Sequence, residues 1–388
     1  MGRTPDVQLE VALVGAVNYL CYMQPTYPAE TEPYREKISA FLDEHLPSNW
    51  TGIGALTGEA RTRFYKEWRE VLRDNKLLAP NWPAQYGGGG LTHLEQVVMN
   101  EEFYKRGVPT SGQNDGFSIG MVGNTILAWG SEEQKQHFIA RIISGDDIWC
   151  QGYSEPNAGS DLANLGCKAE LDGDQWVING QKIWTSSGHT ANMIFVLART
   201  DPDVPKHKGI SFLLVPMDQP GVEVRPITNI ARHDHFNEVF FTDAQCPKDN
   251  VLGGVNNGWA VGNTLLGFER GVGATTTALG YGAELRNYIE MARQMGKLDD
   301  PLVRQDIARF HTKVQIMRYR GDAGPDPFSE RPAAGPRGLH RQAVLEPLPP
   351  GDHRSGYEHD RSRGYGRFRP GDPIGPVGAG GWGRELGG

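Results

Sequence analysis

Two runs of residues hold the side chains whose types and spacing could do chemistry. The first, W-C-Q-G-Y-S-E-P-N-A-G-S-D from Trp149 to Asp161, packs Ser154, Pro156, Asn157, Ala158, Gly159, Ser160 and Asp161 together. Small and turn-forming residues of this kind let backbone come close to a flat or charged ligand, which is what the lip of a cofactor site requires. The second run, W-V-I-N-G-Q-K-I-W-T-S-S from Trp176 to Ser187, has a strand pattern in which Trp176, Ile178 and Trp184 alternate with polar neighbours. Asp172-Gly173 and Asn179-Gly180 are read as hairpin turn pairs, so the lip is mounted on a sheet. Taken alone, S-x-P-x-A-G-S reads as a surface turn between strands and Trp184 as a core aromatic.

Other candidate constellations fall away on their spacing. Gly87 to Gly90 is followed by no Lys-Ser or Lys-Thr pair, and Gly52-Ile53-Gly54 fails as a dinucleotide fingerprint, so both are read as loops. His233 and His235 stand two apart with no companion Cys or carboxylate at ligand spacing, which makes them surface or pocket-rim histidines and implies no metal. Cys21, Cys150, Cys167 and Cys246 are scattered and form no C-x-x-C, the pattern of reduced cytosolic thiols used in packing. A net charge of −8 over 388 residues argues against a nucleic-acid or anionic-membrane surface and for a small-molecule partner. The apolar stretch from Val11 to Met23 is too short to span a bilayer and lacks a cleavage site of small residues, so the chain is expected to be cytoplasmic.

The full string S-E-P-N-A-G-S-D, followed by G-D-x-W-V-I-N-G-Q-K-I-W-T-S-S, resembles in order and spacing the flavin-binding signature of the acyl-CoA dehydrogenase family. The resemblance runs from about Tyr27 to Arg320. It implies FAD, held by Gln151, Gly152, Tyr153, Ser154, Ala158, Gly159 and Ser160 together with Trp184, Thr185 and Ser186. Tyr153 and Ser154 would contact the pyrimidine side of the ring, and Ser160 the pyrophosphate through a neutral donor set. Trp184 would lie along the flavin, with Ser186, where many relatives have Thr, donating towards N5.

The implied reaction needs a base that removes the proton α to a thioester while hydride leaves the β carbon. A carboxylate in a water-poor pocket suits it, because burial raises its pKa. Most of the family places that Glu late in the carboxy-terminal bundle, where no matching motif stands here. A subset resembling isovaleryl-type, long-chain and bacterial steroid-side-chain dehydrogenases places it on the first helix of the bundle, directly before an Arg. Leu265 to Arg270 matches that position, which makes Glu269 the implied catalytic base; taken alone, Glu269-Arg270 reads as an exposed or Arg-paired helical carboxylate. The implied activity is oxidation of an acyl-CoA, with a bulky or branched acyl group favoured, to the trans-2-enoyl thioester. The implied partners are an electron-transfer flavoprotein and a homo- or hetero-oligomer with a related dehydrogenase subunit. The alternatives are a flavin oxidase or monooxygenase of the same superfamily, and a catalytically silent subunit or damaged remnant.

The elements that must position these residues follow from periodicity. Ile38, Phe41 and Leu42, then Phe64, Trp68, Val71 and Leu72, recur at helical steps. Thr92 with Glu95 and Ser131 with Gln134 are capping boxes. Beyond Trp149 the pattern turns to short β runs, Met193 to Ala198, Ile210 to Val215, Val222 to Ile227 and Glu238 to Phe241, and from Gly258 it returns to helix. The expected fold is therefore α+β and multidomain: an extension over 1–26, a helical domain over 27–148, a β-barrel-like domain over 149–254 and part of a carboxy-terminal helical bundle over 255–320. Over 321–388 roughly four residues in ten are Gly or Pro, far above ordinary usage. That tail reads either as a disordered extension or as frame-shifted sequence, since G-Y-G-R-F-R-P, back-translated and read one nucleotide later, can encode A-M-G-D-F-D. Because the family-like part begins near Tyr27, Met23 is read as the start of translation.

Overall fold

The computed structural model describes residues 29–112 and 114–322, with side chains beyond those of Glu30, 270–276 and 319–322. The expected extension over 1–26, Cys21, and all but the first two residues of the Gly/Pro-rich tail lie outside the described residues.

The described chain as far as Ser144 is helical for the reasons the spacing gives. Helices α1 (Glu32–His45) and α2 (Gly58–Asp74) bury Ile38 and Leu42, and Trp68 and Leu72, with Phe41, Phe64 and Val71 packed at the margin of the same core. Helix α3 (His93–Lys105) starts on the capping box of Thr92 and Glu95. Helix α4 spans 115–129 and widens into π-helical turns over Ser118–Gly123; α5 spans 132–144, opens on the Ser131–Gln134 box and carries a similar segment at Lys135–Ile139. The Gly87–Gly90 segment is a packing loop: a Cβ on Gly88 would stand 2.2 Å from the Trp82 carbonyl oxygen.

Eight strands follow: β1 (Trp149–Gly152), β2 (Lys168–Asp172), β3 (Gln175–Ser186), β4 (Met193–Arg199), β5 (Ile210–Pro216), β6 (Val222–Ile227), β7 (Phe236–Pro247) and β8 (Val251–Leu252). They form one sheet in the order β6-β7-β3-β2-β4-β5-β8, with β1 laid parallel on β4 from Trp149↔Met193 to Gly152↔Val196. The expected barrel is not closed: among the described residues the order ends on β6, paired only with β7, and on β8, paired only with β5. Strands β4 and β5 are buried on both faces. Phe195, Leu197, Ile210, Phe212 and Leu214 point to the helices, whereas Ile194, Val196, Ala198, Leu213 and Val215 point to a second core closed by Trp176, Ile178, Val239 and Phe241. Period-2 alternation thus separates two cores across one pair of strands.

Asp172 pairs with Gln175 across a tight turn at Gly173, as the sequence predicts. Asn179-Gly180 is a different case and corrects the hairpin reading. It lies inside β3, where the side chain of Asn179 exchanges two hydrogen bonds with Asp243 across a bulge in β7. Gly180 is required there, because a Cβ would lie 2.7 Å from Cys167 Cα and its φ is +148°.

Helix α6 (Gly258–Gln294) is one continuous helix of 37 residues, and α7 (Pro301–Asp322) packs back on it. Val261 and Leu265 are fully buried against the sheet and α4, and Trp129 Nε1 donates to Thr264 Oγ1 at 3.0 Å. Helix α7 is also tied to the first helices by charge. Glu101 of α3 accepts from Arg318 of α7 at 2.6 Å and from Arg35 of α1 at 3.1 Å, while Glu102 accepts from Arg35 and Lys105. Removing one member of such a buried cluster leaves the rest uncompensated. Glu101→Ala is therefore expected to lower unfolding free energy by about 3 kcal/mol, measured by urea denaturation of the full chain.

Candidate active site

The lip begins where β1 ends. Past Gly152 the chain makes a tight turn in which Glu155 and Ala158 exchange two backbone hydrogen bonds around Pro156 and Asn157, the residues that favour such a turn. Strand β3 clips this segment from beside it: Ile183 N donates to the Ser154 carbonyl at 2.9 Å, and Lys182 Nζ donates to the Tyr153 carbonyl at 3.2 Å. The first and second runs of the sequence therefore meet along one edge. Beyond Ser160 the chain is held by β4, whose Arg199 donates to the Ala163 carbonyl at 2.7 Å.

The end of β3 is irregular. Between Lys182 and Thr185 it carries one residue more than β7 opposite, and Trp184 takes up the excess with φ +62°. A left-handed backbone at a non-glycine residue costs about 1–3 kcal/mol and belongs with functional segments more often than with plain strands. The bulge reverses the alternation read from the sequence: Trp184, expected inward with Trp176 and Ile178, stands 58 % exposed with its edge on Phe236, and Thr185 goes inside instead. The Thr185 hydroxyl is buried without a partner among the described residues, and Asn237 donates to the Thr185 carbonyl at 2.9 Å.

Ser154 and Ser186 are half-buried, Gly159 and Ser160 are exposed, Gln151 is half-buried and Ala158 is buried. Among the described residues the N–H groups of Gly159 and Ser160 have no protein acceptor. An exposed indole face, uncharged hydroxyls and free amides form a donor set suited to a flat, amide-bearing ring with an anionic tail, which is the chemistry of FAD. On those grounds the residues fit the group.

Tyr153 turns its side chain away from the lip. Its ring turns into the helix-facing core, edge-on to Phe195 at 5.9 Å and to Phe212 at 6.3 Å, so only its backbone borders the lip. The hydroxyl is buried with no hydrogen-bond partner among the described residues, and a Cβ on Gly262 of α6 would lie 3.4 Å from it. Burial, and then the Glu269 carboxylate, raise the phenol pKa well above its ordinary value. Glu269 lies two turns beyond Gly262, about 10 Å along α6 at 1.5 Å per residue, on the stripe that includes buried Val261 and Leu265. Its side chain is exposed where that stripe leaves the core. His233 and His235 are exposed, and among the described residues no group of three His, Cys, Asp or Glu side chains could hold a metal.

The residue that sequence reasoning missed is Lys182. It is fully buried, and its Nζ also donates to Glu155 Oε1 at 2.7 Å and the Leu197 carbonyl at 2.8 Å. A signal existed: Lys182 shares the parity of Trp176 and Ile178, so alternation alone puts it on the inner face.

A buried hydroxyl without a partner is a desolvation cost with no return. Tyr153→Phe is expected to leave the fold intact and to raise stability by about 1 kcal/mol in the ligand-free chain, read from the urea midpoint; a loss instead would reveal a hydrogen bond to that oxygen.

Comparison with known proteins agrees with this construction. The acyl-CoA dehydrogenase N-terminal domain matches residues 28–146 and the acyl-CoA dehydrogenase middle domain residues 150–244. The acyl-CoA dehydrogenase IpdE1 of Mycobacterium tuberculosis is 41 % identical over 293 residues, covering 74 % of this chain and 76 % of the relative. Among solved structures, the Tcur3481-Tcur3483 steroid ACAD is 32 % identical with a TM-score of 0.64, covering 77 % of each chain. The ChsE4-ChsE5 complex from Mycobacterium tuberculosis is 31 % identical with a TM-score of 0.62, covering 77 % of this chain and 76 % of that one. With both domains matched in order and the sheet carrying the lip, the chain belongs to the acyl-CoA dehydrogenase family, a family of oxidoreductases.

Proposed function

We propose that this chain binds FAD at the Ser154–Trp184 edge and oxidises an acyl-CoA thioester between Cα and Cβ to the trans-2-enoyl-CoA, with electrons passed on to an electron-transfer flavoprotein. The observation that carries this reading is that one edge of the sheet unites the clipped Ser154 lip with an exposed, left-handed Trp184, while the α6 stripe leading to Glu269 packs on the neighbouring Tyr153. The chemistry FAD supplies when bound is acceptance of a hydride equivalent.

The chain's own residues have distinct tasks. The hydroxyls of Ser154 and Ser186, the backbone at Thr185 and the amides of Gly159 and Ser160 would hold and orient the group, with the exposed Trp184 beside it. Glu269 removes the α proton of the thioester at its carboxylate. Its side chain is exposed in the ligand-free chain, so an acyl group laid over it would shield the carboxylate from water, the environment that suits a general base for this step. A bulky acyl group is favoured, because the name of the Tcur3481-Tcur3483 relative specifies a steroid substrate class.

The assembly reading is a hetero-oligomer with a related subunit. It is supported by the two-component names of both structural relatives and by the exposed apolar residues Tyr281 and Met291 on α6, Met295 just past its end, and Phe310 and Ile316 on α7. Among the described residues no helix is long and apolar enough to cross a membrane, and the proposed location is the cytoplasm.

Glu269→Gln removes the base and keeps the shape. The expected result is a yellow protein with unaltered FAD content whose reduction by acyl-CoA, followed as anaerobic bleaching of the flavin band, slows by at least about a thousandfold. Undiminished bleaching would remove Glu269 from the reaction, and a colourless wild-type chain would remove FAD.

A further inference from the structure

Lys182 is a cation with no exposed surface, placed between the lip and the sheet. Its Nζ has three acceptors, one from each element around it: the Tyr153 carbonyl of the lip at 3.2 Å, Glu155 Oε1 of the turn at 2.7 Å and the Leu197 carbonyl of β4 at 2.8 Å. Three donors of an ammonium are thus matched by three aimed oxygens. Glu155 is engaged beyond the lysine, accepting from Gly166 N at 2.6 Å and Cys167 N at 2.9 Å. One ion pair therefore ties together both ends of the segment from Tyr153 to Cys167, which contains every lip residue.

Such a pair is an inefficient source of stability. Desolvating an ammonium and a carboxylate costs several kcal/mol, and an apolar side chain of similar volume often serves the fold as well or better. What the charged pair supplies instead is geometry, since each acceptor must be within hydrogen-bond reach at once. Next to it, Ile183 N fixes the Ser154 carbonyl, and the following residue is the left-handed Trp184. Displacing the ammonium would release the lip carbonyl and the start of the bulge together.

We propose that Lys182 is a positioning residue for the flavin site: by gripping Tyr153, Glu155 and β4 simultaneously, it sets the register between the Ser154–Ser160 lip and the Trp184–Ser186 edge. This rests on the reading of that edge as the FAD site. Lys182 does not touch the ligand; it acts through the backbone of Tyr153 and Ser154 and through Glu155.

The test uses the full chain with Lys182→Met, which keeps the volume and removes the charge, and Glu155→Gln, which keeps a hydrogen-bonding group and removes the anion. Flavin-free protein is titrated with FAD and the visible spectrum is recorded, and hydrogen exchange is followed separately in the flavin-free chains. In Lys182→Met, FAD is expected to bind about tenfold more weakly or worse, with shifted visible bands, as misplacement of a binding edge produces. Peptides covering 153–167 should exchange faster while those of β5 do not change. Glu155→Gln should move both readouts in the same direction. A folded Lys182→Met with unaltered FAD affinity, spectrum and lip exchange overturns the proposal, even if its melting temperature falls. Should Lys182→Met fail to accumulate, unaltered affinity, spectrum and lip exchange in Glu155→Gln overturn it. Failure of the unsubstituted chain to bind FAD overturns the functional reading first and this one with it, whereas FAD binding that is equal in all three chains overturns this one alone.

Discussion

The described residues are arranged around two strands that have no solvent face. Because β4 and β5 are buried on both sides, their odd and even residues serve two separate cores, one shared with the helices and one closed by β3 and β7. A strand in that position cannot slip by one residue without exchanging the two cores, so its register is fixed more strongly than that of a half-exposed strand. Both the lip and the helix layer take their position from this pair. β1 lies on β4 and delivers the chain to Tyr153, whose ring enters the helix-facing core beside Phe195 and Phe212. The Leu197 carbonyl on β4 gives Lys182 one of its acceptors.

Much of this was legible in the sequence, and the parts that were not have identifiable physical causes. Capping boxes at Thr92 and Ser131 are local chemistry, closed within four residues, and both form as read. The apolar faces of α1 and α2 and the strands at Met193, Ile210 and Val222 were equally plain, because periodicity records burial directly. Closure of the sheet was not, since whether β6 and β8 meet depends on long-range pairing that alternation does not encode. Asn179-Gly180 was misread because a positive φ at glycine serves a turn and a crowded strand alike; the contact with Cys167 that decides between them comes from another strand.

The bulge at Trp184 is the more instructive miss. Plain alternation puts Trp184 inward, and one inserted residue turns it out and buries Thr185 in its place. Nothing in the composition of W-T-S-S announces this, because the left-handed conformation is disfavoured for tryptophan and is imposed by the flanking pairs Lys182↔Val239 and Thr185↔Asn237. Local preference and tertiary constraint disagree here, and such disagreement is concentrated where a protein has a use for it. The family resemblance implies a cofactor role for this segment, and the left-handed backbone at Trp184 is the structural feature that accompanies it.

The proposed base and the proposed cofactor edge belong to different layers, and Tyr153 is where the layers meet. Its backbone borders the lip, its ring fills the core under α6, and its hydroxyl stands at Gly262, on the helical stripe that runs on to Glu269. The distance between the two functions is thus set by rigid packing and not by a loop. Glu269 itself emerges from that packing with an exposed side chain, so in the ligand-free chain water solvates its carboxylate. A water-poor base requires something else to cover it, and the acyl group is the occupant that arrives only when a base is needed. Cover supplied by the substrate spares the free protein the cost of a permanently buried carboxylate.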